Sequence, residues 1–545
     1  MYKLKNLLCI LCVFVALSSY AQRLQERVYT LPILMDQDVN AVRRLQIDSD
    51  TKQPNVKGGV VLHLDKRSAE VIDEISLWYI KGDTSLFKQK DIKKYTSLLH
   101  IKAKEGDNIL SFSTDLAKGT NFIWVTVKVR QIKNIEVPFS ISLQKFYLNK
   151  WKSDYVLNGS ISTHRLAVAV RRHNQENVHT SRIPGIVTAK DGSLVAVYDA
   201  RYDMGRDLQG NIDICVSRSL DGGLTWLPIE TAIDMGEYGG LVQKFNGVSD
   251  ANILLDENTG DIYIAGLWMY GVIDETGIWY PGIKDGKEIW NHQWKTKGSQ
   301  PGFGITQTSQ FLIVKSSDNG KTWSEPINLT TMCKKKDWWL WAPAPGHGLT
   351  IKDGTLVMPT QGRDRKGKPF SNITYSKDGG KTWKTSNPAL SRSTTECMAV
   401  ELEDGRIMLN MRSNYNAEHK GDDNGRAIAT TTDFGKTWTE HPTSHHALIE
   451  PTCMGSIHKH RYQENGVDNS IIVFCNPDSK YERVNITLKV SKDNADTWQR
   501  KILLDEGKGR GYSCITSVDE NTIGVLYESS QADLVFQRVS LKDLL

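Results

Sequence analysis

The chain has 545 residues, a formal net charge of +5, 39 % hydrophobic and 24 % charged residues, and eight cysteines. That length exceeds what one hydrophobic core organises, so at least two domains are expected. The composition is that of an ordinary globular protein, and the weak positive excess argues against nucleic acid as a partner.

The N-terminus reads as an export signal. Lys3 and Lys5 precede an apolar run from Leu7 to Leu17, and Ser19-Tyr20-Ala21 fits a small-x-small cleavage site before Gln22. Residues 1–21 are therefore expected to be removed, with the mature protein periplasmic or extracellular. The run is too short to cross a bilayer comfortably and no second apolar span follows, so no stable membrane span is expected. Cys9 and Cys12 follow leucines, not the small residue a lipid-anchoring signal needs. The remaining cysteines, Cys215, Cys333, Cys397, Cys453, Cys475 and Cys514, form no Cys-x-x-Cys pair. They read as buried free thiols in preference to a disulfide framework or zinc site.

Residues 22–165 alternate as short strands, for example Gly59–Leu64, Ile75–Ile80 and Phe122–Val129, separated by loops such as Lys104-Glu-Gly-Asp107. A β-sandwich is expected here. Exported enzymes commonly carry such a module to hold a glycan, but no aromatic cluster fixes a sugar site in this segment, so a structural spacer stands as an equal reading.

Residues 166–545 carry an eight-residue phrase five times: Ser219–Trp226, Ser316–Trp323, Ser376–Trp383, Thr431–Trp438 and Ser491–Trp498. Each has a hydroxyl, an Asp two residues on, a small residue, a Thr and a Trp at fixed offsets, although the fifth replaces its glycine with Ala495. The aspartates are spaced by 97, 60, 55 and 60 residues, the size of a four-stranded blade with an insertion in the first interval. A second element, an Asp-Gly turn feeding an apolar strand, recurs at Asp191-Gly192, Asp353-Gly354 and Asp404-Gly405, ahead of a phrase by 23 to 28 residues. Five marked blades and an unmarked one closed by Thr522–Tyr527 and Leu534–Phe536 predict an all-β chain, a six-bladed β-propeller preceded by the β-sandwich. The Asp and Ser/Thr of each phrase suit hydrogen bonds inside a turn and the Trp suits packing, so these aspartates read as structural, not catalytic.

Between the phrases stand Ser181-Arg182-Ile183-Pro184, Tyr198-Asp-Ala-Arg201 through Asp207, Thr395-Glu396-Cys397-Met398, Leu409-Asn-Met-Arg412-Ser413, Glu482-Arg483-Val-Asn485 and Gly511-Tyr512-Ser513. With the repeated phrases, this set resembles the bacterial sialidases (neuraminidases), glycoside hydrolases with a six-bladed propeller, over roughly residues 173 to 540. The resemblance implies that Arg182, Arg412 and Arg483 clamp the sialic acid carboxylate, a task guanidinium suits because it stays charged and can donate two parallel hydrogen bonds. It implies Tyr512 as nucleophile and Glu396 as its base. The anomeric carbon of sialic acid already bears a carboxylate, so an anionic nucleophile would approach against repulsion, and sialidases are an exception to the two-carboxylate rule. An ordinary tyrosine is protonated at neutral pH, so it needs a general base and an arginine field. Gly511 and Ser513 suit a backbone held close to a ligand.

Asp207 is implied as acid/base, in a short polar loop suited to a mobile surface position; its spacing from Arg201 selects it over Asp199, Asp203 and Asp213. Arg201 and Asp250 resemble residues that contact the amino-sugar side and O4. Trp268 can line the pocket for the N-acetyl methyl or be a core tryptophan. Trp279, Tyr280, Trp290 and Trp294 of the insertion can form a wall beyond the sialic acid or a packed loop.

The expected substrates are sialylated glycoproteins, glycolipids or oligosaccharides, cleaved by a monomer with retention. The chemistry requires no metal or other cofactor. His445-His446 and His458-Lys-His460, the nearest candidate ligands, read as solvated loop histidines. A trans-sialidase, an intramolecular trans-sialidase and a non-catalytic sialoglycan-binding propeller remain alternatives; retention of Tyr512, Glu396 and Asp207 together speaks against the last.

Overall fold

Strict alternation builds the N-terminal part. In the strand Gly106–Leu116, Asn108, Leu110 and Phe112 are buried while Ile109, Ser111 and Ser113 face outward, the period of a half-buried strand. The computed structural model describes residues 24–81, 94–148, 157–158, 160–208, 210–271, 282–284, 287–289, 292 and 299–545. The export segment 1–21 and Trp279, Tyr280, Trp290 and Trp294 lie outside the described residues.

Two five-stranded sheets account for most of residues 24–164. One contains Asn40–Ser49, Ile72–Lys81 and Gly119–Val129; the other contains Gln53–Leu64, Gly106–Leu116 and Phe139–Leu148. Their inner faces share one core, in which Leu45, Ile75 and Val125 of the first sheet meet Val60, Leu110 and Phe146 of the second. The near-continuous apolar run of Gly119–Val129 has a second cause. Phe122 and Trp124 on its other face are covered by Tyr29, Leu31 and Val39, so this strand is buried on both sides.

From residue 166 the chain forms successive antiparallel sheets. Thr394–Glu401, Ile407–Ser413, Ala427–Thr431 and Thr439–Glu440 make one four-stranded sheet; Ser456–Glu464, Val467–Pro477, Ile486–Ser491 and Arg500–Asp505 make the next. A nine-stranded sheet precedes them, but its two four-stranded runs touch through the single parallel pair Ile212 and Gly247. The final sheet joins Ser513–Asp519, Thr522–Tyr527 and Leu534–Ser540 to Leu166–Arg171, so the first strand of this region pairs with the last strand of the chain.

The repeated phrases are turns that hold these sheets together. In the first, the Ser219 hydroxyl accepts the Gly223 N–H at 2.8 Å and donates to Asp221 at 2.8 Å, while Asp221 accepts the Thr225 N–H at 2.9 Å and hydroxyl at 2.7 Å. The same ring recurs around Asp318, Asp378, Asp433 and Asp493. The Thr382 hydroxyl and the Thr437 backbone N–H draw the Asp378 and Asp433 carboxyls down to about 2. These aspartates are thus fixed as ions, the wrong state for a proton donor.

Each phrase also contacts the preceding sheet. Gly223 lies against Phe536, whose ring also meets Trp226 edge-on at 5.4 Å. Gly320 lies against Val195, and Gly380 against Tyr263, whose hydroxyl donates to the Gly379 carbonyl at 2.9 Å. The Gly435 carbonyl accepts the Asn387 N–H at 3.0 Å, and Asn494 accepts the Glu403 N–H at 2.9 Å. The first phrase therefore touches the last strand of the chain.

The six described cysteines are buried and unpaired, as the spacing predicts. Of the candidate histidines, His445 and His446 lie in a turn with His446 exposed, while His458 and His460 differ from expectation. His458 and His460 lie on the strand Ser456–Glu464, and both hydrogen-bond the Ser517 hydroxyl, at 2.9 and 2.8 Å. Alternation turned them inward, so they are not solvated loop residues. No described helix is long and apolar enough to cross a membrane.

The fifth phrase keeps its geometry without glycine: Ala495 holds φ 69° and its N–H still reaches Ser491 at 3.0 Å. A left-handed backbone costs an L-residue about 1–2 kcal/mol, partly offset by the greater freedom glycine has when unfolded. Ala495→Gly is expected to stabilise the protein by about 0.5–1 kcal/mol, read as a higher urea midpoint at unchanged slope.

Candidate active site

Irregularities in three strands place the first candidate side chains. Register shifts lie between Arg182 and Gly185, between Ser249 and Asn252, and between Thr394 and Cys397. Arg182, Asp250 and Glu396 therefore sit at or within bulges, which re-aim side chains and break the ladder. Ile183 takes φ 61°, unusual for a β-branched residue, and Asp250 takes φ 60°. Pro184 is tolerated in the bulge because no ladder N–H is required of it.

Tyr512 is the point of convergence. Its hydroxyl donates to Glu396 and accepts from Arg412 at 3.0 Å. Arg412 also donates to the other Glu396 oxygen at 2.7 Å. The Arg182 and Arg483 guanidiniums lie 5.2 and 5.4 Å from the centre of the Tyr512 ring. Three arginines far apart in the chain thus surround one phenol. Burial and the Glu396 carboxylate push that phenol well above its ordinary value, against the opposing pull of Arg412 and Arg483. The proton therefore resides on Tyr512 in a contact with Glu396, its acceptor.

Arg182 is held by Glu528, which the sequence reading did not single out. Glu528 accepts from Arg182 Nε at 2.8 Å and Nη2 at 3.1 Å, and from the backbone N–H groups of Ile183 and Tyr512 at 3.0 and 3.1 Å. Its side chain is 1 % exposed, yet its carboxyl lies below the usual range because Arg182 and the two N–H groups outweigh burial. The available signal was a single acid ending the apolar run Thr522–Tyr527. Glu450 was missed similarly. It pairs with buried Arg426 at 2.6 Å and accepts the Ser413 N–H at 2.7 Å, fixing the backbone beside Arg412.

Asp207 also joins the cluster. It accepts from Arg182 at 3.0 Å and Arg201 at 2.7 Å. Burial raises its carboxyl, but Arg201 and Arg182 more than compensate and hold it below the ordinary range. Its side chain is 66 % exposed, but its loop is not loosely held: Leu208 is buried among Leu267, Met269, Leu340 and Ala342. Arg201 is locked by Asp199 at 2.8 Å, and Asp199 in turn accepts the Ser249 hydroxyl at 2.6 Å. Asp250 is 8 % exposed; burial and the carboxylates of Glu396, Asp199 and Asp207 raise its carboxyl well above the ordinary value.

Two expectations resolve differently. Trp268 is 0 % exposed, donates to Asn246 at 3.2 Å and packs edge-on against Tyr238 and His292, so the core reading describes it. Gly511, at φ 87°, is pressed against Pro477 and Arg483, so its close approach is to protein. Arg483 donates to the carbonyls of Arg510 at 2.9 Å and Thr452 at 3.4 Å.

Residues 183–529 match the family model of the BNR repeat-like domain. A sialidase of Bacteroides fragilis is 35 % identical over 99 % of this chain and 98 % of its own length. A sialidase of Paraclostridium sordellii is 28 % identical over 69 % of this chain and 87 % of its own. Among solved structures, the Hadza microbial sialidase Hz136 is similar at a TM-score of 0.85 and 32 % identity, covering 95 % of this chain and 100 % of that one. These likenesses define the class, a glycoside hydrolase with BNR repeats. Within that class, the chain belongs to the sialidase family.

Glu528 provides a test independent of turnover. Its folded carboxyl lies below the unfolded value of about 4.3, so its contribution is fully present above that pH and is lost as pH falls through the folded value. Glu528→Gln, which removes the buried one of Arg182's two counter-ions, is expected to cost about 3–5 kcal/mol at neutral pH. The variant's stability should also fall less steeply than wild type below pH 5, measured by urea unfolding across pH.

Proposed function

We propose that this protein is an exported exo-α-sialidase that hydrolyses terminal α-linked sialic acid from glycoproteins, glycolipids or oligosaccharides, with retention, through a covalent intermediate on Tyr512. The observation that carries the reading is the arrangement around that tyrosine: a phenol hydrogen-bonded to Glu396 and surrounded by Arg182, Arg412 and Arg483. Membership of the sialidase family agrees with it. Export is supported by the residue pattern of segment 1–21.

The proposed scaffold is a six-bladed β-propeller following a β-sandwich. Six four-stranded units can be traced once the nine-stranded sheet is divided at its single parallel pair, and the pairing of Leu166–Arg171 with the last strand supports a closed ring. In such a ring the first strand of each blade starts at one central mouth, where Arg182, Asp250 and Glu396 stand.

In the proposed mechanism, the substrate carboxylate engages the three arginines. Tyr512 attacks the anomeric carbon as its proton passes to Glu396, so no free phenolate forms against the high phenol value. Asp207 gives its proton to the departing glycosidic oxygen, and the C–O bond to the aglycone breaks. In the second half, Asp207 takes a proton from water, which attacks the anomeric carbon; the bond from that carbon to the Tyr512 oxygen breaks, and the proton on Glu396 returns to the tyrosine oxygen. Arg201 and Asp250 contact the amino-sugar side and O4, and no metal enters any step. Binding of the substrate carboxylate at Arg182 removes one of the two cations facing Asp207, which raises its carboxyl toward a value suited to a proton donor.

Sialyl-lactose followed by proton NMR tests this reading. Initial release of the α anomer of sialic acid is expected; a sialylated acceptor or an anhydro product would redirect the reaction to transfer, and no turnover by folded protein would reject hydrolysis. Tyr512→Phe is expected to lower kcat by on the order of 10³-fold or more, with circular dichroism unchanged. Arg412→Ala is expected chiefly to weaken carboxylate binding, by about 10- to 100-fold in kcat/KM; unchanged kinetics would remove it from the clamp.

A further inference from the structure

Asp207 poses a problem of placement. Its carboxylate is largely exposed, and it rests on Arg182, the group that the proposed substrate carboxylate would occupy. Once that contact is given up, a single side-chain hold remains, Arg201 on one Asp207 oxygen at 2.7 Å, which does not by itself fix the carboxyl over the leaving oxygen. The backbone of its loop must supply the rest of the placement.

Two holds on that loop are visible. One is Leu208, buried in the cluster with Leu267, Met269, Leu340 and Ala342. The other is the Gly205 carbonyl, two residues before Asp207, which accepts from Arg510 Nη1 at 2.9 Å and from Arg201 Nη1 at 3.3 Å. A Cβ at Gly205 would stand 2.6 Å from Arg510 Nη2 and 3.1 Å from the Thr180 hydroxyl, so the glycine lets the guanidinium close on the loop. Arg510 is anchored from its other side. Its carbonyl accepts from Arg483 at 2.9 Å, and the next residue, Gly511, is wedged against Pro477 and Arg483 beside Tyr512.

We infer that Arg510 is a positioning residue for the acid/base. Its main chain belongs to the segment that carries Tyr512 and receives Arg483, and its side chain grips the Asp207 loop at Gly205. Nucleophile, carboxylate clamp and proton donor are thereby indexed to one another through a single residue. Arg510 acts through Asp207, so the inference rests on the reading of Asp207 as acid/base.

Protonation of the leaving oxygen matters in proportion to the basicity of the leaving group. The test compares kcat/KM for sialyl-lactose, whose leaving group is strongly basic, with that for 4-nitrophenyl α-sialoside, whose leaving group departs with little help. Arg510→Ala is expected to lose about 100-fold on sialyl-lactose and to stay within about 3-fold of wild type on the aryl sialoside. Arg510→Lys, which can still donate to one carbonyl, should recover part of the loss. Asp207→Ala, measured in parallel, should show the same selectivity at larger amplitude, and the double variant should lose little beyond Asp207→Ala alone. Equal losses on both substrates for Arg510→Ala, or no loss on either, would overturn the inference while leaving Asp207 in place. Absence of selectivity in Asp207→Ala would overturn the acid/base reading, and the role of Arg510 with it.

Discussion

One buried carboxylate, Glu528, ties the site to the fold. It follows the strand Thr522–Tyr527 and accepts from the Arg182 side chain, the Ile183 N–H and the Tyr512 N–H. Arg182 lies near the start of the second region and Tyr512 near the end of the chain, so this one group joins the two extremes of the region. A carboxylate in that position would be costly alone. Here its lone pairs are met, and the strained Ile183 conformation is offset by a charge-assisted hydrogen bond. The Arg-Ile-Pro motif is therefore a backbone device that presents Arg182.

The remaining charges follow the same logic of answered cations. Arg201 is met by Asp199, Arg412 by Glu396, and Arg426 by Glu450, while Arg483 donates to two backbone carbonyls and lies over the Tyr512 ring. Asp207 rests on two arginines through one oxygen atom, with most of its side chain in solvent. Of the carboxylates around Tyr512, it is the one whose partners are most readily exchanged for an incoming anion, which suits the group that must change protonation state during the proposed reaction.

The repeated phrases stand apart from this chemistry and make it possible. Each closes a turn on an ionised aspartate and lies against the sheet before it, which sets the spacing between successive sheets. Substituting Ala495 for glycine leaves the hydrogen bonds of the fifth turn in place. Such tolerance is expected where a residue serves local geometry and not a reacting group.

The sequence by itself determined the all-β class, the turns and which residues were candidates for the site. Period-two alternation, Asp-Gly turns and fixed offsets are local patterns, and Arg182, Asp207, Glu396, Arg412, Arg483 and Tyr512 could be named because each sits in a short recognisable motif. Only the tertiary structure decided what supports them. Glu528 and Glu450 are single acids in connecting segments, distinguishable from surface residues only when the fold brings Arg182 and Arg426 to them. Trp268 became core and His458 and His460 turned inward for a related reason. A side chain's exposure depends on what covers its strand, and that cover comes from residues distant in the chain.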